Sequence, residues 1–113
     1  MTPVRPRLDT LDVIIPVLNG GARLADTLTA LPPVHQVIVV DGGSTDGSGA
    51  LAAAHGAYVL SSAPARGGQM ALGGEASSAP WRLFLHADTR LDDTAWTALT
   101  AYIARPEAGA RAA

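Results

Sequence analysis

Four polar residues that could do chemistry follow short apolar runs of the chain. Asn19 ends "DVIIPVLN", Asp41 ends "QVIVVD", and His86 and Asp88 stand together in "FLHADT". A carboxylate at the end of a strand is a rigidly placed acceptor for a ribose hydroxyl or a base N–H. The glycines of "DGGSTDGSG" keep the backbone bare, so a flat, bulky ligand can approach it closely. These residues therefore predict a binding site for such a ligand.

The elements that must position these residues alternate strictly between strand and helix. Apolar runs predict strands, and stripes at helical spacing predict the helices between them. The predicted strands cover 12–19, 36–41, 57–62 and 81–86, and the predicted helices cover 21–31, 48–55, 67–78 and 92–104. This order predicts an α/β fold with right-handed βαβ units, a Rossmann-like parallel sheet and helices on both faces. Ligands of such sheets bind beyond the carboxyl ends of the strands, where all four polar residues fall.

The same pattern divides the chain into a loose leader at 1–11, one domain at 12–104 and a frayed tail at 105–113. Asp46 is a plausible N-cap of the second helix, and Gly56 occupies its C′ position. The third helix is expected to be weak, because its four glycines each cost about 0.8–1 kcal/mol relative to alanine.

Composition excludes several classes of function. The 113 residues carry a net charge of −2, which argues against binding to nucleic acid. The chain has no cysteine, and all 8 basic residues are arginine, so thiol chemistry, Schiff bases and a Walker A lysine are excluded. The G-x-G-x-x-G and G-x-S-x-G patterns are absent too. No apolar run is long enough to cross a membrane, and the expected compartment is the cytosol.

Each candidate residue also has a purely structural interpretation. Asp41 and Asp46 could form an Asx-turn and a helix cap. His86 could be a hydrogen-bonded histidine at a strand end, and Arg66 a solvated loop residue. Two further sets are expected to be structural: His35 with His55, and Trp81 with Trp96 as packing residues.

Four segments together resemble family 2 glycosyltransferases of the GT-A fold: "VIIPVLN", "VIVVDGGSTDGS", "ARGGQMALGG" and "RLFLHADT". The likeness is closest to a small bacterial subgroup named for arsenosugar biosynthesis, in which phrases like "FLHADT" occur. The resemblance implies a UDP- or GDP-sugar donor and inverting transfer of the sugar to an acceptor hydroxyl. The acceptor is not specified; lipids are common among relatives, and a small molecule is the alternative.

The resemblance also implies roles for the donor-binding residues. Pro16 and Asn19 fall in the family's first nucleotide-contacting segment. Asp41 matches the carboxylate that holds the base or ribose, and Asp46 matches the second Asp of the "GSTD" loop. Arg66 falls in the segment that flanks the donor diphosphate.

The metal site departs from the family's pattern. Asp88 matches the last carboxylate of the Asp-x-Asp motif, which binds Mn²⁺ or Mg²⁺. His86 stands where the first Asp usually sits, and it could ligate Mn²⁺ or contact the nucleotide instead. Gly42 replaces a second carboxylate, and Ala71 stands where the subgroup often has Asn. We expect Asp41 and Asp88 to lie over one rim and hold opposite ends of the donor.

The sequence offers no credible general base, which the family carries on a later acceptor half. We therefore expect a donor-binding portion, truncated before that half, whose activity requires another segment or subunit. A binding fragment without turnover is the alternative, and a sugar nucleotidyltransferase is a poorer match. The strand at 81–86 is expected to be an exposed edge that promotes self-association. A lipid acceptor would bring the protein to the inner face of the cell membrane.

Overall fold

The computed structural model describes residues 8–104, which form one four-stranded parallel sheet flanked by four helices. The elements alternate as predicted, and the strand order across the sheet is β3-β2-β1-β4. In chain order they are β1 (Leu8–Val17), α1 (Gly21–Thr29), β2 (Val34–Asp41), α2 (Ser48–Ala54), β3 (Tyr58–Ser61), α3 (Arg66–Ala76), β4 (Trp81–Phe84) and α4 (Asp93–Ile103). The predicted α/β fold class is confirmed.

Strand β1 lies in the middle of the sheet, between β2 and β4. It begins at Leu8, so the prediction of a loose leader through residue 11 is wrong for residues 8–11. Leu8 and Leu11 are both buried. The pairing of β1 with β2 includes Leu8, and its register shifts between Leu8 and Asp12. The earlier leader residues and the predicted tail at 105–113 lie outside the described residues.

The core has two layers, one on each face of the sheet. Three helices cover one face, where Leu24 of α1, Ala52 of α2 and Trp96 of α4 join the buried side chains of β1 and β2. Helix α3 alone covers the other face, packing Leu72 and Ala76 against Ile14, Ile38 and Val40. The period-2 alternation of a strand accounts for this division, because Ile14 points to one face while Val13 and Ile15 point to the other.

Helix α3 forms despite its glycines, and Gly73 shows why one of them is needed. A Cβ on Gly73 would lie 2.4 Å from Ile14 Cγ2 and 3.1 Å from Val40 Cγ2. The missing side chain therefore lets the helix lie closer to the sheet than any other residue would permit. The glycines were expected only to weaken the helix, but the close packing at Gly73 requires one of them.

The helix ends differ from prediction in one case. The N-cap of α2 is Gly47, at φ +82°, and Asp46 lies one residue before it. Asp92 is the N-cap of α4, where its side chain accepts a hydrogen bond from Ala95 N at 2.8 Å. Gly56 follows α2 at φ +85°, as expected of a C′ glycine. Among residues 8–104, no helix combines the length and the apolar character that crossing a membrane requires.

A buried carboxylate ties the middle of β1 to the segment that enters β4. Asp12 Oδ2 accepts hydrogen bonds from Ser77 Oγ at 2.6 Å, Ser78 N at 3.0 Å and Ala79 N at 3.1 Å. Asp12 Oδ1 lies 2.7 Å from His35 Nδ1, which gives His35 the structural role expected of it. Burial alone would raise the pKa of Asp12, but these hydrogen bonds outweigh it and hold the pKa below its usual value.

Candidate active site

A cleft of about 380 Å³ opens at the carboxyl end of β1, between the first turn of α3 and the segment after β4. Five of the predicted site residues line it: Pro16, Asn19, Arg66, His86 and Asp88. Three separate loops therefore contribute to one cavity. The remaining lining residues are Val17, Leu18, Gly20, Arg23, Pro64, Ala65, Gln69 and Ala87. Three of the four polar residues that were expected to converge at the strand ends, Asn19, His86 and Asp88, therefore line one cavity.

Asn19 joins the loop after β1 to the loop after β2. Its backbone N–H donates to Ser44 Oγ at 2.8 Å, and its side-chain Oδ1 accepts from Thr45 N at 2.9 Å. Asn19 has φ +54°, in the left-handed region that asparagine tolerates better than most residues. The carboxamide oxygen is therefore already engaged within the protein, and the Ser and Thr of "GGSTDGS" hold the first loop in place.

Ser48 makes the second link between these loops. Its buried Oγ accepts from Gly20 N at 3.0 Å and donates to Asp46 Oδ1 at 2.5 Å. Asp46 also accepts from Ser48 N at 3.0 Å. The hydrogen bonds from Ser48, more than any other cause, lower the pKa of Asp46. Asp46 therefore lies in this loop junction and outside the cleft, and the prediction that it caps α2 is wrong, because Gly47 is the N-cap.

Asp41 ends β2 at the same edge of the sheet but does not line the cleft. Its Oδ1 accepts from Ser44 N at 2.8 Å, closing a turn. Its Oδ2 lies 2.9 Å from the position that a Cβ on Gly49 would occupy. Asp88 lines the cleft and Asp41 does not, so the expectation that the two carboxylates hold opposite ends of one donor stays a prediction. Contact between Asp41 and a nucleotide stays a prediction.

The first turn of α3 brings positive charge to the cleft. Arg66 is the first residue of the helix, and its Nη1 lies within hydrogen-bonding distance of the ring nitrogens of His86. Since a guanidinium only donates, one ring nitrogen of His86 accepts this hydrogen bond. The N-cap residue, Ala65, makes no side-chain hydrogen bond to the first turn, and both Ala65 and Arg66 line the cleft.

Asp88 is the only carboxylate among the described residues that line the cleft. Its side chain is 57% exposed, and its nearest charged partner is Arg23 Nη1, 3.8 Å from Oδ2. No group of three or more His, Asp or Glu residues within 8–104 could enclose a metal ion. Asp88 and His86 nevertheless fit a Mn²⁺ ion whose other ligands are phosphate oxygens and water.

Helix α1 holds the segment that carries Asp88. Thr27 is buried, and its Oγ1 donates to Ala87 O at 2.7 Å. Ala87 is the residue between His86 and Asp88, so this hydrogen bond fixes the backbone on which both candidate ligands stand. The exposed side chains of His86 and Asp88 therefore lie on a segment that α1 holds through this hydrogen bond.

The sequence interpretation missed Arg23, Gln69 and Thr27. Arg23 and Gln69 line the cleft, and Thr27 anchors its wall. The sequence contains one indication that Gln69 is buried. It is a polar residue one turn before Gly73, so it lies on the same side of α3 as the glycine that packs against the sheet. Arg23 and Thr27 lie on an ordinary amphipathic helix, where nothing in the residue types separates them from surface positions. Trp96 is buried in the core and Trp81 packs edge-to-face on Tyr102 at 5.7 Å, which confirms both as packing residues.

The parallel sheet, its covering helices and the cleft at its carboxyl edge define the GT-A fold of nucleotide-diphospho-sugar transferases. The sequence profile described as glycosyl transferase family 2 matches residues 12–111, and the chain belongs to that family. The resemblance seen in the four sequence segments is thereby confirmed at the level of the family.

Solved structures with the same fold include glucosyl-3-phosphoglycerate synthase from Mycobacterium tuberculosis. Its complex with Mn²⁺, uridine diphosphate (UDP) and glucosyl-3-phosphoglycerate aligns with a TM-score of 0.64 at 25% identity, over 73% of this chain and 36% of that one. The complex of the same enzyme with UDP aligns with a TM-score of 0.65 at 27% identity, over 72% of this chain and 34% of that one.

Curated relatives include uncharacterised glycosyltransferases of Mycobacterium tuberculosis and Mycobacterium bovis. Each is 34% identical to this chain over 85 residues, which are 74% of this chain and 39% of the relative. The chain thus spans well under half the length of the proteins it matches.

Proposed function

We propose that this domain binds the donor of a glycosyltransferase that moves a sugar from a nucleotide-diphosphate sugar to an acceptor hydroxyl, with inversion. The observation that carries the proposal is the cleft, in which the first turn of α3 and Arg66 meet the His86–Asp88 segment. Uridine diphosphate is the favoured nucleotide, because the M. tuberculosis synthase of the same fold binds UDP and UDP-glucose. A place in the arsenosugar-type subgroup rests on "FLHADT".

The cleft is suited to a diphosphate. Two arginines, Arg23 and Arg66, line it against one carboxylate, and the N–H groups of α3 add the positive end of a helix dipole. As the bond from the anomeric carbon to the diphosphate oxygen breaks, negative charge develops on the leaving group. Donors that are already in place stabilise this charge more in the transition state than in the ground state.

A divalent metal bound with the diphosphate would supply Lewis-acid stabilisation of the same charge. Asp88 is the residue that would hold it, with His86 as the second ligand. A ring nitrogen of His86 accepts a hydrogen bond from Arg66 in the structure. We infer that Arg66 turns to the diphosphate when the donor binds, and that His86 is released by this movement.

The acceptor's proton must pass to a base while the acceptor oxygen bonds to the anomeric carbon from the opposite face. Asp88 lies on the donor side, so we infer that the base comes from outside the described cleft. The acceptor, a lipid or a small molecule, would then bind largely beyond these residues. We propose a cytosolic location, at the inner membrane face when the acceptor is a lipid.

Two other functions are less supported. A binding module without turnover would share the donor site, and only the transfer of sugar separates it from the enzyme. A sugar nucleotidyltransferase needs free N–H groups after β1 for a triphosphate. In this chain Gly20 N and Gly21 N already donate to Ser48 Oγ, at 3.0 and 3.4 Å.

Calorimetric titration with UDP-, GDP- and dTDP-sugars, with and without Mn²⁺, tests the proposal. We expect UDP-glucose to bind, and Arg66→Ala to weaken binding by roughly tenfold or more, since a hydrogen bond to a charged group contributes about 1.5–3 kcal/mol. Asp88→Asn should abolish the gain from Mn²⁺. Glu75→Gln, exposed on the same helix and outside the cleft, is the matched control. Absence of binding to every nucleotide, or equal binding by all variants, would refute the proposal.

A further inference from the structure

Gln69 is a buried amide that the donor-binding residues above do not account for. It lies on α3 with 4% of its surface exposed. Its Nε2 donates to Val17 O at 3.1 Å and to Val40 O at 2.8 Å. Both N–H bonds of the amide are therefore used on the sheet, one on β1 and one on β2. A buried amide with both donors satisfied is strongly held in one orientation.

The two carbonyls mark the point at which β1 and β2 give way to the site loops. Val17 is the last residue of β1, and Val40 is the residue before Asp41. Val17 O also accepts from Gly42 N at 2.9 Å. Gln69 thus adds a third segment, α3, to the last link between the two strands. The residues that follow at once are the Asn19 loop on one strand and the Gly42 loop on the other.

Gly42 leaves room for the Gln69 amide because it has no side chain. A Cβ at position 42 would lie 2.9 Å from Oε1, 3.0 Å from Cδ and 3.1 Å from Nε2 of Gln69. All three distances are shorter than ordinary contact between heavy atoms. A carboxylate at position 42 would therefore displace the Gln69 amide from its two carbonyls. This gives a physical reason for the glycine that follows Asp41 in "VVDGGS".

We propose that Gln69 is a positioning residue of the donor site, which holds the ends of β1 and β2 against the helix that carries Arg66. This inference rests on the proposed function. It predicts that the amide fixes the Asn19 loop and the Asp41 turn relative to the first turn of α3. One buried side chain then sets the spacing between the parts of the site that come from three different segments.

The test uses Gln69→Glu, which keeps the shape and removes both donors. The ionised carboxylate faces two carbonyl oxygens and is repelled by them, whereas the protonated acid recovers one donor. We expect UDP affinity relative to the parent to fall by roughly tenfold near pH 8, as two hydrogen bonds are lost. The ratio should recover in part towards pH 5, because burial raises the pKa of a glutamic acid. A residue that only fills space would give no such pH profile.

Gln69→Asn keeps the amide on a shorter side chain, so we expect it to bind UDP weakly at every pH. Glu75→Gln makes the reverse exchange on the exposed side of α3 and should match the parent. Equal UDP affinity for the parent and Gln69→Glu across the pH range would overturn the inference.

Amide hydrogen exchange tests the positioning role of Gln69 without a ligand. In Gln69→Glu we expect faster exchange at Gly42 N and Thr45 N, with the α4 amides unchanged. Uniformly faster exchange would mean that Gln69 contributes only to the overall stability of the fold, and it would overturn the positioning role. If the parent binds no nucleotide, the proposed function fails by itself, and the exchange pattern still decides the role of Gln69: local change supports it, and uniform change overturns it.

Discussion

The close approach of α3 to the sheet makes Gly73→Ala a sensitive test of how the site is built. In an ordinary helix, alanine in place of glycine would stabilise the protein by about 1 kcal/mol. Here the added Cβ would lie 2.4 Å from Ile14 Cγ2, on the central strand. Carbon atoms in contact normally lie about 3.5–4.0 Å apart, so the helix or the strand must move by about 1 Å or more.

The magnitude follows from two opposing effects. Overpacking a core position costs about 1–3 kcal/mol, and here both neighbours, Ile14 and Val40, are fully buried β-branched residues with restricted rotamers. Helix propensity returns about 1 kcal/mol of this cost. We expect the free energy of unfolding to fall by up to about 2 kcal/mol, which lowers the melting temperature of a domain of this size by up to roughly 15 °C.

Gly74→Ala is the matched control, one residue further along the same helix. Its Cβ would meet Phe84 Cζ at 3.7 Å, an ordinary contact. Only the gain in propensity should remain, and we expect it to raise stability by about 0.5–1 kcal/mol. Urea denaturation followed by circular dichroism measures both variants. Gly73→Ala as stable as Gly74→Ala would refute the argument that α3 needs this glycine to dock.

Three further predictions follow from single contacts. Asp12→Asn should lower the free energy of unfolding at pH 7 by about 2–4 kcal/mol, because buried donors lose a charged acceptor. Since the pKa of Asp12 is lowered, this stabilisation is fully present above pH 3.8 and is lost as the pH falls through the folded-state pKa, so urea titrations of parent and variant should converge in acid. Thr27→Val should cost about 1–2 kcal/mol and weaken the Mn²⁺-dependent part of UDP binding by loosening Ala87, while Thr27→Ser should restore both in calorimetry. β4 pairs only with β1 among the described residues and leaves Phe84 43% exposed, so the chain should associate at high concentration and Phe84→Lys should reduce this; a parent that sediments as a clean monomer would contradict the prediction.

The fold could be predicted because its signals are local and repeated. A buried strand in a parallel sheet must be apolar on both faces, and each run of this kind is followed by a stripe at helical spacing. The carboxyl ends of such strands fall on one edge, so Asn19, Asp41 and His86 could be assigned to that edge. The start of β1 was less visible, because Leu8 and Leu11 are separated by polar residues and carry no strict period.

The side-chain partners within the site could not be predicted in the same way. Ser44 and Thr45 lie in the loop after β2, which was expected to leave its backbone bare for a ligand, and Ser48 begins α2. All three instead make hydrogen bonds to the Asn19 loop. Those contacts span 25 to 28 residues of sequence, and nothing in the spacing of the residues records them. The same limit applies to Asp12, whose Oδ2 accepts hydrogen bonds from residues that lie 65 to 67 positions away.

The groups that can bind an anion lie in a small part of the cleft. The loops after β1 and β2 use their polar atoms on each other, which makes them a rigid wall. The groups left with capacity for an anion are Arg66, Arg23 and the first turn of α3, with Asp88 opposite in charge. A nucleotide sugar bound here would place its diphosphate against α3, because the first turn of this helix and Arg66 bring positive charge to the cleft. Its base would then extend along the rim toward Asp41, and Asp41→Asn should weaken UDP binding but leave the affinity for inorganic pyrophosphate unchanged.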